Sequence, residues 1–345
     1  NRRSRANNAK IYASFGNNLV KKKEEGTALI LVLLVVTIVT VLGVTAVDRL
    51  HYGIKENSDI SLKQQSFWYA LGLESKVLDF IKERNQMRNL SNVLISDEDI
   101  PSIMVEIEGG QIEGTLEDLT TCFNINGLVR LSGDNQLVIN QGGVDQFKNL
   151  LRVLRFDELN QDKLIFSLVD WIDSNDFTED ANGAEDDFYT RLASPYRSAN
   201  QPIFNVNELV NVKNYDKEIV NALLPFLCAL PEVGSNQINV NAIRKNKPEI
   251  LVMLFGENLS LSSASNVLAD RPLSGFKDKE ELLSHPELAD LPLSNSALDN
   301  IKFKSNFYRL TTKVDNFQYP FVLDSYLQIL ETGKVKVFMR SQGVF

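Results

Sequence analysis

Between Thr27 and Val47 the chain carries no charged side chain. An apolar run of roughly 20 residues is what one helix needs to cross a bilayer core. Lys21, Lys22 and Lys23 stand just before it, and Asp48-Arg49 closes it. Basic flanks are retained in the cytoplasm, so the pattern predicts a single-pass helix over 27–47 with everything after it on the far side. A secretory signal and a buried core helix both fit this run less well. A cleaved signal has a shorter apolar core and ends in a small-x-small site, of which Gly43-Val44-Thr45-Ala46 is only a weak version. A core helix does not need so long an unbroken apolar run.

The charge divides sharply at this segment. The 345 residues carry a formal −9, but residues 1–25 hold seven Lys and Arg against Glu24 and Glu25, a local +5 that leaves −14 for the rest. Nucleic-acid affinity comes from clustered Lys and Arg, so the acidic exported part is expected to bind no nucleic acid. The two cysteines, Cys122 and Cys228, both fall in that part. In an oxidising compartment such a pair is a disulfide candidate, the alternative being two separate buried thiols. Closing a loop of about 105 residues would add on the order of 4 to 5 kcal/mol by chain entropy. Only His51 and His285 are present, so histidine catalysis and His-rich metal sites have little support.

Residues 1–25 are polar, basic and aperiodic, and read as a cytoplasmic leader or disordered tail. Beyond the apolar run the helical pattern continues. Residues 51–88 contain no proline, and Phe67, Ala70, Leu71, Leu78 and Ile81 recur at three- and four-residue steps. One helix of roughly 55 residues, about 80 Å long, fits this pattern. At Ile103 the period changes to two. Residues 104–116, turning at Gly109-Gly110, read as a β-hairpin. Residues 306–314, 322–330 and 334–340 read as further strands, the last two forming a hairpin. Between these ends lie short paired helices: 143–156 with 161–172, 207–212 with 216–228, and 242–255 with 261–269. The segments Phe123-Asn124-Ile125-Asn126, Phe204-Asn205-Val206-Asn207 and Ile238-Asn239-Val240-Asn241 echo one another, with Asn207 and Asn241 expected to start helices as N-caps.

Residues 170–190 form an acidic loop. Asp170, Asp173, Asp176, Glu179, Asp180, Glu185, Asp186 and Asp187 occur there with no Lys or Arg among residues 170–187. So many carboxylates repel one another unless a cation offsets them. Oxygen donors at flexible spacing suit Ca²⁺, which takes six to eight oxygen ligands. The register is not that of an EF-hand: a start at Asp173 places Phe177 fifth, and a start at Asp176 lacks glycine at the sixth position. A solvated acidic loop is the plainer alternative, although Trp171, Phe177, Phe188 and Tyr189 interleaved with the acids favour a packed one. A carboxylate pair for glycoside hydrolysis is the enzymatic alternative.

With these pieces in place the chain resembles the minor pseudopilin K family of type II secretion, the general secretion pathway protein K. The resemblance runs from Lys21 to Arg340. It is carried by Gly26 before Thr27-Ala28-Leu29-Ile30-Leu31, by Phe123-Asn124-Ile125-Asn126, and by Asp170-Trp171-Ile172-Asp173. Gly183-Ala184-Glu185-Asp186-Asp187-Phe188-Tyr189, Pro195-Tyr196-Arg197, Leu230-Pro231-Glu232 and Ile238-Asn239-Val240-Asn241 complete the set. It implies cleavage after Gly26 by a prepilin peptidase and methylation of Thr27. Most pilins carry Glu at the fifth mature position; here that position is Leu31, as suits a subunit with no neighbour above it, since an unpaired Glu is costly in lipid. The resemblance further implies calcium in the acidic loop, carried here to Asp173, Asp176, Asp180, Glu185, Asp186 and Asp187.

The expected fold is α+β: a long pilin-like N-terminal helix packed on an antiparallel sheet, with a large all-α insertion of short paired, SAM-like helices. The expected segments are a leader (1–26), a long helix (27–85, crossing the membrane over 27–47), a sheet domain (86–125 with 303–345) and a helical insertion (126–302). The implied role is a non-enzymatic pseudopilus tip subunit. It would sit in the inner membrane with its C-terminal domain in the periplasm, partner minor pseudopilins I and J and the major pseudopilin, and support export across the outer membrane. The alternatives are a minor pilin of a type IV pilus and a membrane-anchored exported hydrolase.

Overall fold

The computed structural model describes residues 24–90, 102–315 and 320–343; the basic leader segment 1–23 lies outside them. The chain separates into two compact units, residues 1–66 and 67–345. Helix α1 runs over Glu24–Leu90. In the first unit its apolar side chains from Leu29 to Val47 are exposed, and it is long and apolar enough to cross a membrane. The hydroxyls of Thr37, Thr40 and Thr45 donate to the carbonyls of Leu34, Val36 and Leu42 at 2.8, 2.7 and 3.0 Å. These three groups therefore bring no unpaired donor into an apolar surrounding.

The second unit begins where α1 turns amphipathic. Ala70, Leu73, Val77 and Ile81 are buried at three- and four-residue steps, and Phe67, Leu71 and Leu78 pack at their margins. They cover a five-stranded antiparallel sheet of β1 (Ile103–Ile107), β2 (Gly110–Asp118), β3 (Phe307–Asp315), β4 (Phe321–Ile329) and β5 (Val335–Gly343), paired in that order. Alternation along β2 and β3 sends Ile112, Leu116, Leu310 and Val314 toward the helix. At Gly114 the helix comes so close that a Cβ would stand 2.6 Å from Leu73 Cδ2. The β1–β2 hairpin pairs Ile107 with Gly110, so its turn is Glu108-Gly109, one residue before the expected Gly109-Gly110. Gly109 takes the positive φ of 86°, which leaves Gly110 free to start the strand.

One polar contact ties α1 to the sheet. Glu74 is 4% exposed; Arg340 on β5 donates to both its carboxylate oxygens at 2.8 Å, and Ser325 on β4 donates at 2.6 Å. Burial alone would raise the Glu74 pKa, but the hydrogen bonds from Arg340 and Ser325 and the guanidinium charge together hold it below its ordinary value.

The connection from β2 to β3 carries the helices: α2 (Gln141–Val153), α3 (Glu158–Ile172), α4 (Asp186–Tyr189), α5 (Lys217–Leu223), α6 (Glu249–Phe255), α7 (Leu261–Ala269), α8 (Lys279–Leu283) and α9 (Asn295–Asn300). They surround a second core that includes Phe123, Phe147, Leu168, Ile250 and Leu254. The architecture is α+β, a long helix on an antiparallel sheet with a helical insertion.

The insertion is internally duplicated. Asn124 and Asn239 accept from the amides of Asn126 and Asn241 at 3.2 and 3.0 Å. The second asparagine of each pair then clamps a distant residue: Asn126 holds the N–H and C=O of Ile203, and Asn241 those of Phe276, at 2.7 to 2.8 Å. Short parallel bridges close both halves, Phe123 with Leu227 and Ile238 with Ile301.

This duplication corrects two expectations. Asn241 is not a helix N-cap; its amide is committed to Phe276, and α6 starts at Glu249 rather than at 242. Pro248 disfavours helical backbone at Lys247 and fixes that start. Asn207 does not cap either. Asn205 caps the 3-10 turn Val206–Asn211 by accepting from Asn207 N–H at 2.9 Å.

Candidate metal centre

The acidic loop leaves the C-terminal end of α3 and returns to the clamped residue Ile203. The second half of the duplication spans the same interval, from α7 to Phe276, with only a few residues, so the loop is an elaboration of the first half. Its base is packed: Trp171 lies edge-on to Tyr189 at 5.0 Å, Tyr189 stacks on Tyr196 at 5.3 Å, and Trp171 Nε1 donates to Glu208 at 3.0 Å.

Three carboxylates sit inside this frame. Asp170 and Asp173 are fully buried and Glu185 is 4% exposed. Asp173 Oδ1 and Glu185 Oε1 lack a hydrogen-bond partner, and Asp170 Oδ2 has none of good geometry, although the nearby Ala184 N–H lowers the Asp170 pKa. The other oxygens are used: Glu179 N–H donates to Asp170 Oδ1 at 3.0 Å, Asn175 to Asp173 Oδ2 at 2.9 Å, and Ser198 to Glu185 Oε2 at 3.2 Å. Gly183 passes so close to Asp170 that a Cβ would fall 1.8 Å from its Oδ2.

Burial raises all three pKa values above the ordinary carboxylate range, to about 6 for Asp170, about 7 for Asp173 and about 8 for Glu185. Mutual repulsion adds to it, since the Asp170 charge raises both Asp173 and Glu185. Asp170 and Asp173 also stand at a helix C-terminus with no basic residue in its last turn, where the helix dipole disfavours anions. Lys213 offsets part of this, donating to Gly183 O at 2.8 Å while lying over the Phe188 ring at 4.9 Å.

The other acids of the expected ligand set are placed differently. Asp187 is exposed and accepts from Arg191 at 2.6 and 2.7 Å. Asp186 Oδ1 accepts twice from Ser198 at 3.0 Å, and Asp180 Oδ1 binds Asn182 at 2.7 and 2.9 Å. Asp176 is exposed and accepts from Asn200 at 3.3 Å. Of that set only Asp173 and Glu185 carry unpaired buried oxygens, and Asp170, which the set omits, joins them. Its signal in the sequence was the Asp170–Asp173 spacing, which puts two acids on one helix face without a nearby base.

Among the described residues no three His, Cys, Asp or Glu side chains converge on one ready-made cation position. The fit to calcium is chemical: buried, hard, unpaired oxygen donors whose charges burden one another. Elsewhere, Cys122 and Cys228 are bridged, with Cα atoms 5.7 Å apart. Cys228 packs with Leu119, Leu230 and Phe307 where the insertion meets the sheet. Gly26 and Thr27 lie on α1, and nothing lies within 4 Å of where a Gly26 Cβ would stand.

Two models of type II secretion system protein K match the chain, over residues 121–232 and 238–303, together just over half of it. Protein K of Pectobacterium carotovorum is 28% identical over 94% of this chain and 98% of its own length. That of Aeromonas hydrophila is 29% identical over 83% and 87%, and that of Pseudomonas aeruginosa 27% identical over 94% of each. Among solved structures, a chain of the GspK-GspI-GspJ complex of enterotoxigenic Escherichia coli superposes with a TM-score of 0.68 at 24% identity, covering 84% of this chain and all of that one. With both halves of its insertion matched and its relatives aligned over most of their length, the chain belongs to the protein K family of the type II secretion system.

Proposed function

We propose that the protein is the minor pseudopilin at the tip of the type II secretion pseudopilus, where it starts fibre assembly and supports export across the outer membrane without catalysing a reaction. The observation that carries this is the alignment with protein K sequences over 94% of the chain. The solved relative stands in a complex with GspI and GspJ, which supports the corresponding minor pseudopilins as partners of this chain. In this role α1 is drawn into the inner membrane, a prepilin peptidase cuts between Gly26 and Thr27, and the new amino terminus is methylated. Leu31 leaves the fifth mature position uncharged, which suits a terminal subunit with no neighbour to pair with. Intact mass of the amino terminus from native membranes tests the proposal. N-methylated Thr27 is the expected result; a chain still joined through Gly26 would exclude a pilin-type subunit.

The acidic loop binds calcium in this proposal. Asp170, Asp173 and Glu185 would hold the ion, with Asp176 and Asp180 near in sequence, and the ion would neutralise charges that otherwise repel within the insertion. Its contribution is to order the loop.

A further inference from the structure

The acidic loop holds a further buried oxygen without a partner, and it belongs to no acid. Asn200 stands where the loop returns toward Ile203; its Oδ1 is closed to solvent and accepts no hydrogen bond. Its Nδ2 is used, donating to Asp176 Oδ1 at 3.3 Å. Asn175, by contrast, uses both ends of its amide: Nδ2 donates to Asp173 Oδ2 at 2.9 Å, and Oδ1 accepts from the Phe177 N–H at 2.8 Å. Closing an acceptor off from water without a donor is unfavourable. Asn200 also holds a positive φ of 46°, a backbone conformation that is costly outside glycine and that gathers at ligand-holding positions.

Hydrogen bonds seat this residue among the carboxylates. The Asn200 N–H donates to Trp171 O at 3.0 Å, and Trp171 stands between Asp170 and Asp173 in the chain. Ser198, two positions earlier, donates to Glu185 Oε2 at 3.2 Å. The segment 198–200 is thus bonded both to the first acids of the loop and to Glu185, the residues that carry the unmet Asp173 Oδ1 and Glu185 Oε1. Calcium accepts amide carbonyl oxygens as well as carboxylates. A neutral donor suits this loop better than another anion would. Ionised, Asp170, Asp173 and Glu185 already exceed the charge of one divalent ion, and an amide adds a ligand without adding repulsion.

We propose that Asn200 supplies a neutral amide oxygen to the ion held by Asp170, Asp173 and Glu185, an inference that rests on the reading that calcium occupies this loop. Asp187 spends its carboxylate on Arg191, and the ligand set runs instead to a residue beyond the acidic run. Asn200 lies three positions before Ile203, which Asn126 clamps. The ion therefore ties the start of the loop, at the end of α3, to its return into the core of the insertion.

The test uses full-length protein in nanodiscs and the variant Asn200→Gly, which removes the amide while tolerating the positive φ. Calorimetric titration with calcium should show affinity weakened about tenfold or more, with the melting temperature in chelator unchanged. Asn200→Asp, which keeps an oxygen at this position, should retain binding. Europium, a luminescent stand-in for calcium, reports its bound waters through its lifetimes in H₂O and D₂O. Loss of a direct ligand should admit an additional water in Asn200→Gly, a change that a merely structural role would not produce. Equal calcium affinity in wild type and Asn200→Gly would overturn the inference and leave calcium in the loop. An unchanged water count would also overturn it, as would an equal loss of affinity in Asp176→Ala, which would assign the effect to the Asn200–Asp176 contact. A wild type that takes up no calcium would instead remove the calcium reading itself, and this inference with it.

Discussion

Glu74 would ordinarily face water on an amphipathic helix, yet here it is closed in beneath β4 and β5 by Arg340 and Ser325. Glu74→Ala removes both partners' acceptor and leaves a guanidinium that is 44% exposed. The expected loss is about 2–3 kcal/mol in chemical unfolding, short of a fully buried pair because water reaches Arg340. Since the folded pKa is lowered, the stability that Glu74 confers is complete above its ordinary value of 4.5 and disappears as pH falls through the folded value. The loop acids differ in burial: Asp173 is buried and Asp187 is exposed. Asp173→Asn should abolish the expected rise in melting temperature on adding calcium, while Asp187→Ala, which loses an exposed contact to Arg191, should keep that rise and change stability by no more than about 0.5 kcal/mol. Equal effects from the two, read by differential scanning fluorimetry with and without chelator, would move the site away from Asp173.

Among the elements, the acidic loop should make stability depend on pH in a way that calcium removes. Asp170, Asp173 and Glu185 hold protons more tightly folded than unfolded, so without a cation stability falls as pH rises from about 4, the unfolded carboxylate value, through the folded values of about 6 to 8. Chelated protein should therefore melt higher at pH 5 than at pH 8, and the gain from added calcium should be greatest at pH 8. A calcium gain independent of pH would place the ion elsewhere. Some of this element was legible in the sequence: eight acids among residues 170–187 with no base imply a cation or full solvation. Which acids turn inward was not, because Asp170 and Asp173 are buried by the aromatic packing of Trp171, Tyr189 and Tyr196, contacts spread over 26 residues of chain. The asparagine echoes show the same division. Their recurrence was visible, but the clamps on Ile203 and Phe276 depend on segments 77 and 35 residues away.

Across the second unit as a whole, the insertion joins the sheet through two strand ends, and the Cys122–Cys228 bridge lies at that junction. Replacing both cysteines with alanine should cost as much as about 4 kcal/mol by the chain-entropy estimate for a loop of roughly 105 residues, less if the unfolded chain is compact. Urea unfolding of wild type and the double variant measures it; identical midpoints would mean that packing around Leu119 and Phe307 alone holds the junction. The N-terminal helix raises no comparable question of packing. Its apolar run is exposed along its length, and what it serves lies outside the folded chain.

Local spacing along the chain was enough to specify the membrane-length helix, the period-two strands at both ends of the second unit and the helical character of what lies between. Such elements need only the residues a few positions away, and those are written in any short window. Tertiary packing was required to set the hairpin turn at Glu108-Gly109, to bury and pair Glu74, and to bury Asp170, Asp173 and Glu185 while Asp187 turns to Arg191. It also left Gln146 buried with its amide unmet. Each of these depends on which distant residues exclude water from a polar group, and that is a property of the packed fold rather than of any window of sequence.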